Sequence, residues 1–225
     1  MNNIKISLFI LFAIALSSCD DDFLDTDSTD LSDDLVWSDP ELAETYILNL
    51  YTSIRLSDKE PSKDEGSAGL TRGFHWAMFS SVTDETVYSN DDETYVIQTG
   101  AMTSSNYGFI GTSWGRNYLG IRECNDALAR IPTLDITDQK MSELMAEVRF
   151  IRAVRYFELL RGYGGVPLIG DRVTALEDDF SDLYNRTTIN ETVDYIVNEL
   201  DFAIANLPLK SVQQVGRASS ESAMG

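Results

Sequence analysis

Apolar positions recur at helical intervals along most of this 225-residue chain. Leu42, Tyr46, Leu50 and Ile54 follow at a spacing of four, which lines one face of an α-helix. Ser38-Asp39-Pro40-Glu41 precedes them with an N-cap, an early proline and a glutamate at the capping-box position, so order is predicted to begin near Ser38. A second periodic stretch runs from Trp114 to Ile131 and is stopped by Pro132. A third runs from about Thr137 to Gly162 and carries two stripes: Leu144, Val148, Ile151 and Phe150, Ala153, Phe157, Leu160. Two stripes predict burial on two sides. Gly162-Tyr163-Gly164-Gly165 ends this helix and leads into an extended piece, Val166-Pro167-Leu168-Ile169. Thr188-Ile189-Asn190-Glu191 reads as a capping box. Ile189, Val193, Ile196, Leu200, Ile204 and Leu207 then recur every three or four residues up to Pro208. Gly216-Arg217-Ala218-Ser219 reads as the cap of one further helix. No long alternating strand pattern occurs. The fold class is all-α, built from antiparallel helix pairs.

Three stretches break the periodicity. Residues 57–69 and 171–186 are polar loops. Residues 70–111 have no period and mix Phe74, Trp76, Phe79, Tyr88, Tyr95, Tyr107 and Phe109 with Ser, Thr, Asn, Asp and Gly. A long irregular region inside a helical chain is where function concentrates.

The beginning of the chain follows other rules. The apolar run Ile6–Leu16 reaches roughly 17 Å as a helix, against a hydrocarbon core of about 30 Å. It ends in Leu16-Ser17-Ser18-Cys19, a leucine and two small residues before a cysteine. This is the pattern of a bacterial lipoprotein signal, cleaved before a lipid-modified Cys19. Acyl chains at about 0.8 kcal/mol per buried CH₂ then anchor the protein without spanning the bilayer. Asp20 to Asp34 holds eight aspartates in fifteen residues and reads as a solvated linker. The predicted organisation is a signal peptide at 1–18, an acidic lipid-anchored linker at 19–37, and a helical domain at 38–225 that is truncated at its C-terminal end.

The formal net charge is −20. Removing residues 1–18 takes away Lys5 and no acid, which leaves −21. This balance excludes nucleic acid and anionic membrane surface as partners, since both need Lys/Arg patches. It favours a neutral ligand over a polyanionic one. With Cys19 lipidated, Cys124 has no partner and is expected to be a buried structural thiol. His75 is the single histidine and no CxxC occurs, so no zinc site is expected. Gly108-x2-Gly111 and Gly162-x-Gly164-Gly165 lack the context of phosphate loops. Asp91-Asp92-Glu93 lacks a calcium-loop spacing and reads as a solvated acidic loop. Asp84-Glu85 are adjacent on one loop and do not form a glycosidase pair. No enzyme activity and no cofactor are expected. Arg149, Arg152 and Arg155 recur every three residues; pairing with Glu147, Glu158 or the acidic loop at 177–182 is expected, a face for an acidic partner being the alternative.

Several blocks, in order, resemble the SusD/RagB family of outer-membrane nutrient-uptake lipoproteins. They are Cys19-Asp20-Asp21-Asp22-Phe23-Leu24-Asp25; Trp114-x3-Tyr118-x2-Ile121-x3-Asn125; and Ala146-Glu147-Val148-Arg149-Phe150-Ile151-Arg152-Ala153, continuing through Tyr156-Phe157-Glu158-Leu159 to Tyr163-Gly164-Gly165-Val166-Pro167-Leu168. Arg186-Thr187-Thr188 and Gly216-Arg217-Ala218-Ser219 follow. The resemblance implies a TPR-like scaffold, a position on the cell outer membrane facing the exterior, and capture of oligosaccharide or another nutrient. It also implies a partner, a SusC-like TonB-dependent transporter, and a longer C-terminal part than this chain has.

Sugar binding needs flat aromatic faces for the C–H sides of pyranose rings and polar groups for the hydroxyls. In the aperiodic region the expected platforms are Trp76, Tyr95, Tyr107 and Phe109, with Asp84, Asn90 and Asn106 as polar partners. Core or rim packing is the alternative for each aromatic. Trp114 and Tyr118 are assigned to the scaffold. A TPR-type protein-interaction scaffold without glycan binding is the alternative function.

Overall fold

The computed structural model describes residues 33–51, 83–85, 87, 95–103, 105, 109–174, 181 and 185–225. The chain divides into two compact units, Met1–Leu35 and Val36–Gly225. Of the first unit only residues 33–35 are described, as the opening of α1.

Helix α1 spans Asp33–Ser38 and α2 spans Pro40–Leu50. The described helix α1 therefore starts at Asp33, five residues before the predicted Ser38. Trp37 is buried and its ring packs 5.3 Å from that of Tyr46. The N-cap of α2 is Asp39 rather than Ser38. Its carboxylate accepts from Glu41 N at 2.8 Å, and Pro40 takes the first turn, where its missing N–H costs nothing. The buried face of α2 is Ala43, Ile47 and Leu50, one residue beside the predicted stripe of Leu42, Tyr46 and Leu50. Ile54 lies outside the described residues.

Helix α3 spans Tyr95–Gln98 inside the aperiodic region. Helix α4 spans Phe109–Arg130, starting five residues before the predicted Trp114, and a 3₁₀ turn over Ile131–Thr133 follows it. Helix α5 spans Asp138–Tyr163, capped by Thr137, whose hydroxyl accepts from Lys140 N at 3.2 Å. Helix α6 spans Ile189–Asn206 and α7 spans Ser220–Met224. The predicted capping box of α6 is present. Thr188 Oγ1 accepts from Glu191 N at 3.2 Å, and Glu191 accepts from Thr188 N at 2.7 Å. Ser219 and Ser222 repeat the arrangement at α7. Among the described residues there is no β-strand, and the fold is all-α.

Helix α5 supplies the centre of the core. Leu144, Val148 and Ile151 pack with α1, α2 and α4 residues, among them Trp37, Ile47, Cys124 and Leu128. Ala153, Tyr156 and Leu159 pack with Ile121, Val166 and Ile196. Ala146 packs with Ala203, Leu207, Ala218 and Ala223. Burial on two sides is thus as predicted, but the second stripe is displaced, and Phe157 is 47% exposed. Arg152, Arg155 and Glu147 are buried on this helix instead, and an apolar count passes over them. The same holds on α6. Thr192, Ile196, Glu199 and Ala203 are buried while Ile189 and Val193 are exposed. Cys124 is fully buried, as expected, and burial pushes its thiol up to about 12.

Gly164 ends α5 with φ of 73°, a left-handed conformation that favours glycine. Gly165 is needed for another reason: a Cβ there would stand 2.0 Å from Thr187 O. The turn after α5 and the entry to α6 touch backbone to backbone at this point.

Candidate functional site

The polar groups of α5 build a frame rather than a ligand site. Arg152 Nε donates to Glu199 Oε2 at 2.8 Å, and its Nη1 donates to Asn125 Oδ1 at 2.6 Å and Gly170 O at 3.2 Å. Its Nη2 pairs with Asp171 at 2.7 Å. Burial disfavours the charged guanidinium, but the hydrogen bond and charge of Glu199 outweigh it and hold Arg152 protonated. Asn125 Nδ2 donates to Arg172 O at 2.9 Å, Tyr118 OH to Pro167 O at 2.8 Å, and Ile169 N donates to Tyr156 OH at 2.9 Å. Side chains of α4 and α5 therefore pin the backbone of residues 167–172. Arg186 donates to Gly165 O at 2.7 Å and to Tyr163 O, which fastens the end of α5 to the approach to α6. Trp114 packs on Tyr118 and edge-to-face on Tyr163, each at 4.9 Å, which is the scaffold role expected of the first two.

A second ionic group ties the two ends of the helical unit to α5. Arg217 Nε donates to Glu147 Oε1 at 2.8 Å, its Nη2 donates to Glu147 Oε2 at 2.5 Å, and its Nη1 pairs with Glu44. Lys140 Nζ adds a 3.0 Å bond to Glu44. Tyr51 OH donates to Glu147 Oε1 at 2.6 Å and accepts from Ala218 N at 2.9 Å. Burial alone would raise the Glu44 carboxyl, but its bonds to Arg217 and Lys140 lower it below the ordinary range.

Arg149 and Arg152 thus pair with carboxylates of the chain, as expected, but not with the expected ones, and Arg155 bonds a neutral amide instead. Arg152 takes Glu199 and Asp171. Arg149 reaches Glu199 at 3.7 Å and lies 4.2 Å over the Phe202 ring. Arg155 reaches Asn117. Glu147 is used by Arg217, and residues 177–180 and 182 lie outside the described residues. Sequence reading missed the Arg217 group. The available signal was the Gly216-Arg217 cap, where Gly216 turns the chain with φ of 93°.

Asp84 and Tyr95 are the predicted ligand residues whose side chains the structure describes. Cys19, Trp76, Asn90, Asn106 and Tyr107 lie outside the described residues, as does Asp91-Asp92-Glu93. Phe109 is the first residue of α4, and its side chain also lies outside them. Asp84 sits on an exposed bend over 83–85, where Glu85 N donates to Thr83 Oγ1 at 3.2 Å. Tyr95 opens α3 and is 49% exposed. Thr99 Oγ1 donates to Tyr95 O at 2.8 Å, so the backbone is held and the ring is left to solvent. An exposed phenol ring and an exposed carboxylate supply a stacking face and hydroxyl acceptors. The described residues do not place the two in one cleft. Among the described residues no three His, Cys, Asp or Glu side chains group as metal ligands. No described helix is long and apolar enough to cross a membrane.

Comparison with known proteins adds what this geometry leaves open. The SusD-like family model described as starch-binding and associating with the outer membrane matches residues 22–225. SusD-like protein P38 of Formosa agariphila is 26% identical over 213 residues, covering 93% of this chain and 38% of that protein. A solved SusD-like protein from Bacteroides fragilis superposes with a TM-score of 0.70 at 28% identity, covering 86% of this chain and 35% of its own. A second solved protein from the same organism, described as a SusD-like carbohydrate-binding protein, gives 0.69 at 25% identity over 84% of this chain and 36% of its own. The chain therefore spans less than two fifths of the length of these three relatives.

Proposed function

The chain belongs to the SusD-like family, whose members associate with the outer membrane, and from that premise we propose that it is part of a surface glycan-binding lipoprotein. Its role is to capture a neutral oligosaccharide and pass it to a SusC-like TonB-dependent transporter. It does so by binding alone, without catalysis and without a cofactor. Lipid on Cys19 anchors it, with residues 19–37 as the tether and the helical domain on the outer face of the cell.

The observation that carries this reading is the family match over residues 22–225, beside a carbohydrate-binding relative of the same fold. The division of labour in the structure agrees with it. The buried Arg152 of α5 is engaged in the frame, while Tyr95 and Asp84 of the aperiodic region stay exposed. In this reading the ligand is held by Trp76, Tyr95, Tyr107 and Phe109 as stacking faces, with Asp84, Asn90 and Asn106 on the hydroxyls. Calorimetric titration with a panel of neutral oligosaccharides, α-glucans first, tests it. Saturable heat with one glycan class, and none with polyanions, is the expected outcome. Silence across the whole panel overturns it.

A further inference from the structure

Three ionic groups lie along α5, and one is incomplete. Arg152 and Arg217 spend their nitrogens on carboxylates and carbonyls. Arg155 is 2% exposed, yet its Nε and Nη2 have no hydrogen-bond partner. Its Nη1 reaches only Asn117 Oδ1, at 3.4 Å. Nε and Nη2 together form the guanidinium edge that grips a carboxylate through two parallel bonds. The guanidinium lies on Gly120 of α4, where a Cβ would stand 2.6 Å from Nε. The glycine makes room for the charge and offers it no acceptor.

Glu158, three residues further along α5, is the complementary orphan. Its Oε2 accepts from Arg161 Nη2 at 2.5 Å, while its Oε1 is buried with no hydrogen-bond partner. Side chains three apart on a helix are neighbours in both directions, so one carboxylate stands between an inner and an outer arginine. In this structure it bonds the outer one. The groups facing Arg155 are Glu123 and Cys124 from α4 and Glu158 from α5 itself. Burial pushes the Glu158 carboxyl above the ordinary range, with the charges of Arg161 and Arg155 opposing. A buried donor edge and a buried acceptor left open side by side are costly, and closing one on the other satisfies both.

We infer that Glu158 is a two-position carboxylate, bonded to Arg161 in one state and turned onto the Nε–Nη2 edge of Arg155 in the other. What moves it is competition for Arg161, whose side chain is one-third exposed, by an anionic group arriving on the outer face of α5. The outer pair leaves Glu158 partly in solvent, and turning inward trades that hydration for a two-pronged buried bond, so the two positions are closely balanced. Loss of the first thus releases Glu158 to the second. The face that carries Arg161 and the exposed Phe157 is thereby connected to the packing of α4 on α5.

Arg161→Gln mimics the engaged state in the full chain. Side-chain NMR of Arg155 reports the outcome without altering that residue. The Nε–H resonance is expected to move downfield and its exchange with solvent to slow by about tenfold on the substitution. A signal that stays in place overturns the inference. A cycle of Arg155→Lys and Glu158→Gln gives an independent reading from unfolding equilibria. The coupling between them, as a ratio of equilibrium constants, is expected to rise from near unity to about tenfold once Arg161→Gln is added. Equal coupling in both backgrounds overturns it.

Discussion

Helices α5 and α3 use their side chains in opposite ways. Helix α5 is 26 residues long and buried through its middle, charged groups included. Helix α3 is four residues long and buries none of them. A segment of that length has little helical stability of its own. What differs is where the polar groups are spent. On α5 Arg149, Arg152 and Arg155 are drawn toward the fold, and Arg152 alone fastens two helices and a loop. On α3 the backbone is satisfied by Thr99, and the Tyr95 ring is surplus to packing. Ligand chemistry belongs where side chains are surplus, and stability where they are spent.

The most damaging way to probe this contrast is Arg152→Met. It keeps much of the volume and removes the partner of a buried carboxylate. Glu199 would retain only Arg149, 3.7 Å away, and Asn125, Gly170 and Asp171 would each lose a bond. Breaking a buried pair from one side costs about 3–5 kcal/mol, a large share of a stability of about 5–15 kcal/mol. Urea denaturation should show a strongly reduced midpoint or no cooperative transition. A change below about 1 kcal/mol would show that α5 is not held by its polar groups and would erase the contrast.

A milder change separates exposure from function. Thr188 is exposed, as Tyr95 is, but both its backbone and its hydroxyl bond Glu191 at the start of α6. Thr188→Ala should cost about 1 kcal/mol by the same denaturation measurement and leave glycan binding unchanged. If it lost affinity and kept its stability, surface exposure would have to be read as function on α6 as well.

The helices were legible because apolar spacing, caps and prolines agree on them. Thr188 and Ser219 cap where the sequence pattern puts a cap, and Thr137 caps the helix expected to start near it. The misplaced stripes on α5 and α6 share one cause. Arg152, Arg155, Glu199 and Thr192 occupy buried positions, so the apolar stripe drawn around them falls to one side and takes in Phe157 and Ile189, which are exposed. No local pattern announces a buried charge whose partner is distant. Glu147 and Glu44 lie 70 and 173 residues from Arg217. The candidate site was legible in composition only. Aromatic and polar residues without a period mark a loop-rich region, but nothing in their spacing says which of them share a cleft.

Tyr95→Ala is the smallest perturbation of the fold and the sharpest test of the contrast. Alanine keeps the Tyr95 carbonyl, and with it the bonds from Thr99 N at 3.0 Å and Thr99 Oγ1 at 2.8 Å. The ring that is lost is half in solvent already and belongs to none of the three core clusters. The change in unfolding free energy should therefore stay within about 0.5 kcal/mol. If the ring stacks on a sugar, calorimetry with the glycan identified from the panel should show affinity lowered about tenfold, the scale of one lost aromatic contact. Stacking and rim packing predict opposite pairs of results. A stacking ring loses affinity at constant stability, and a packing ring loses stability at constant affinity. The second pair would place α3 with α5, as structure rather than site, and would move the search for the ligand to other residues of the aperiodic region.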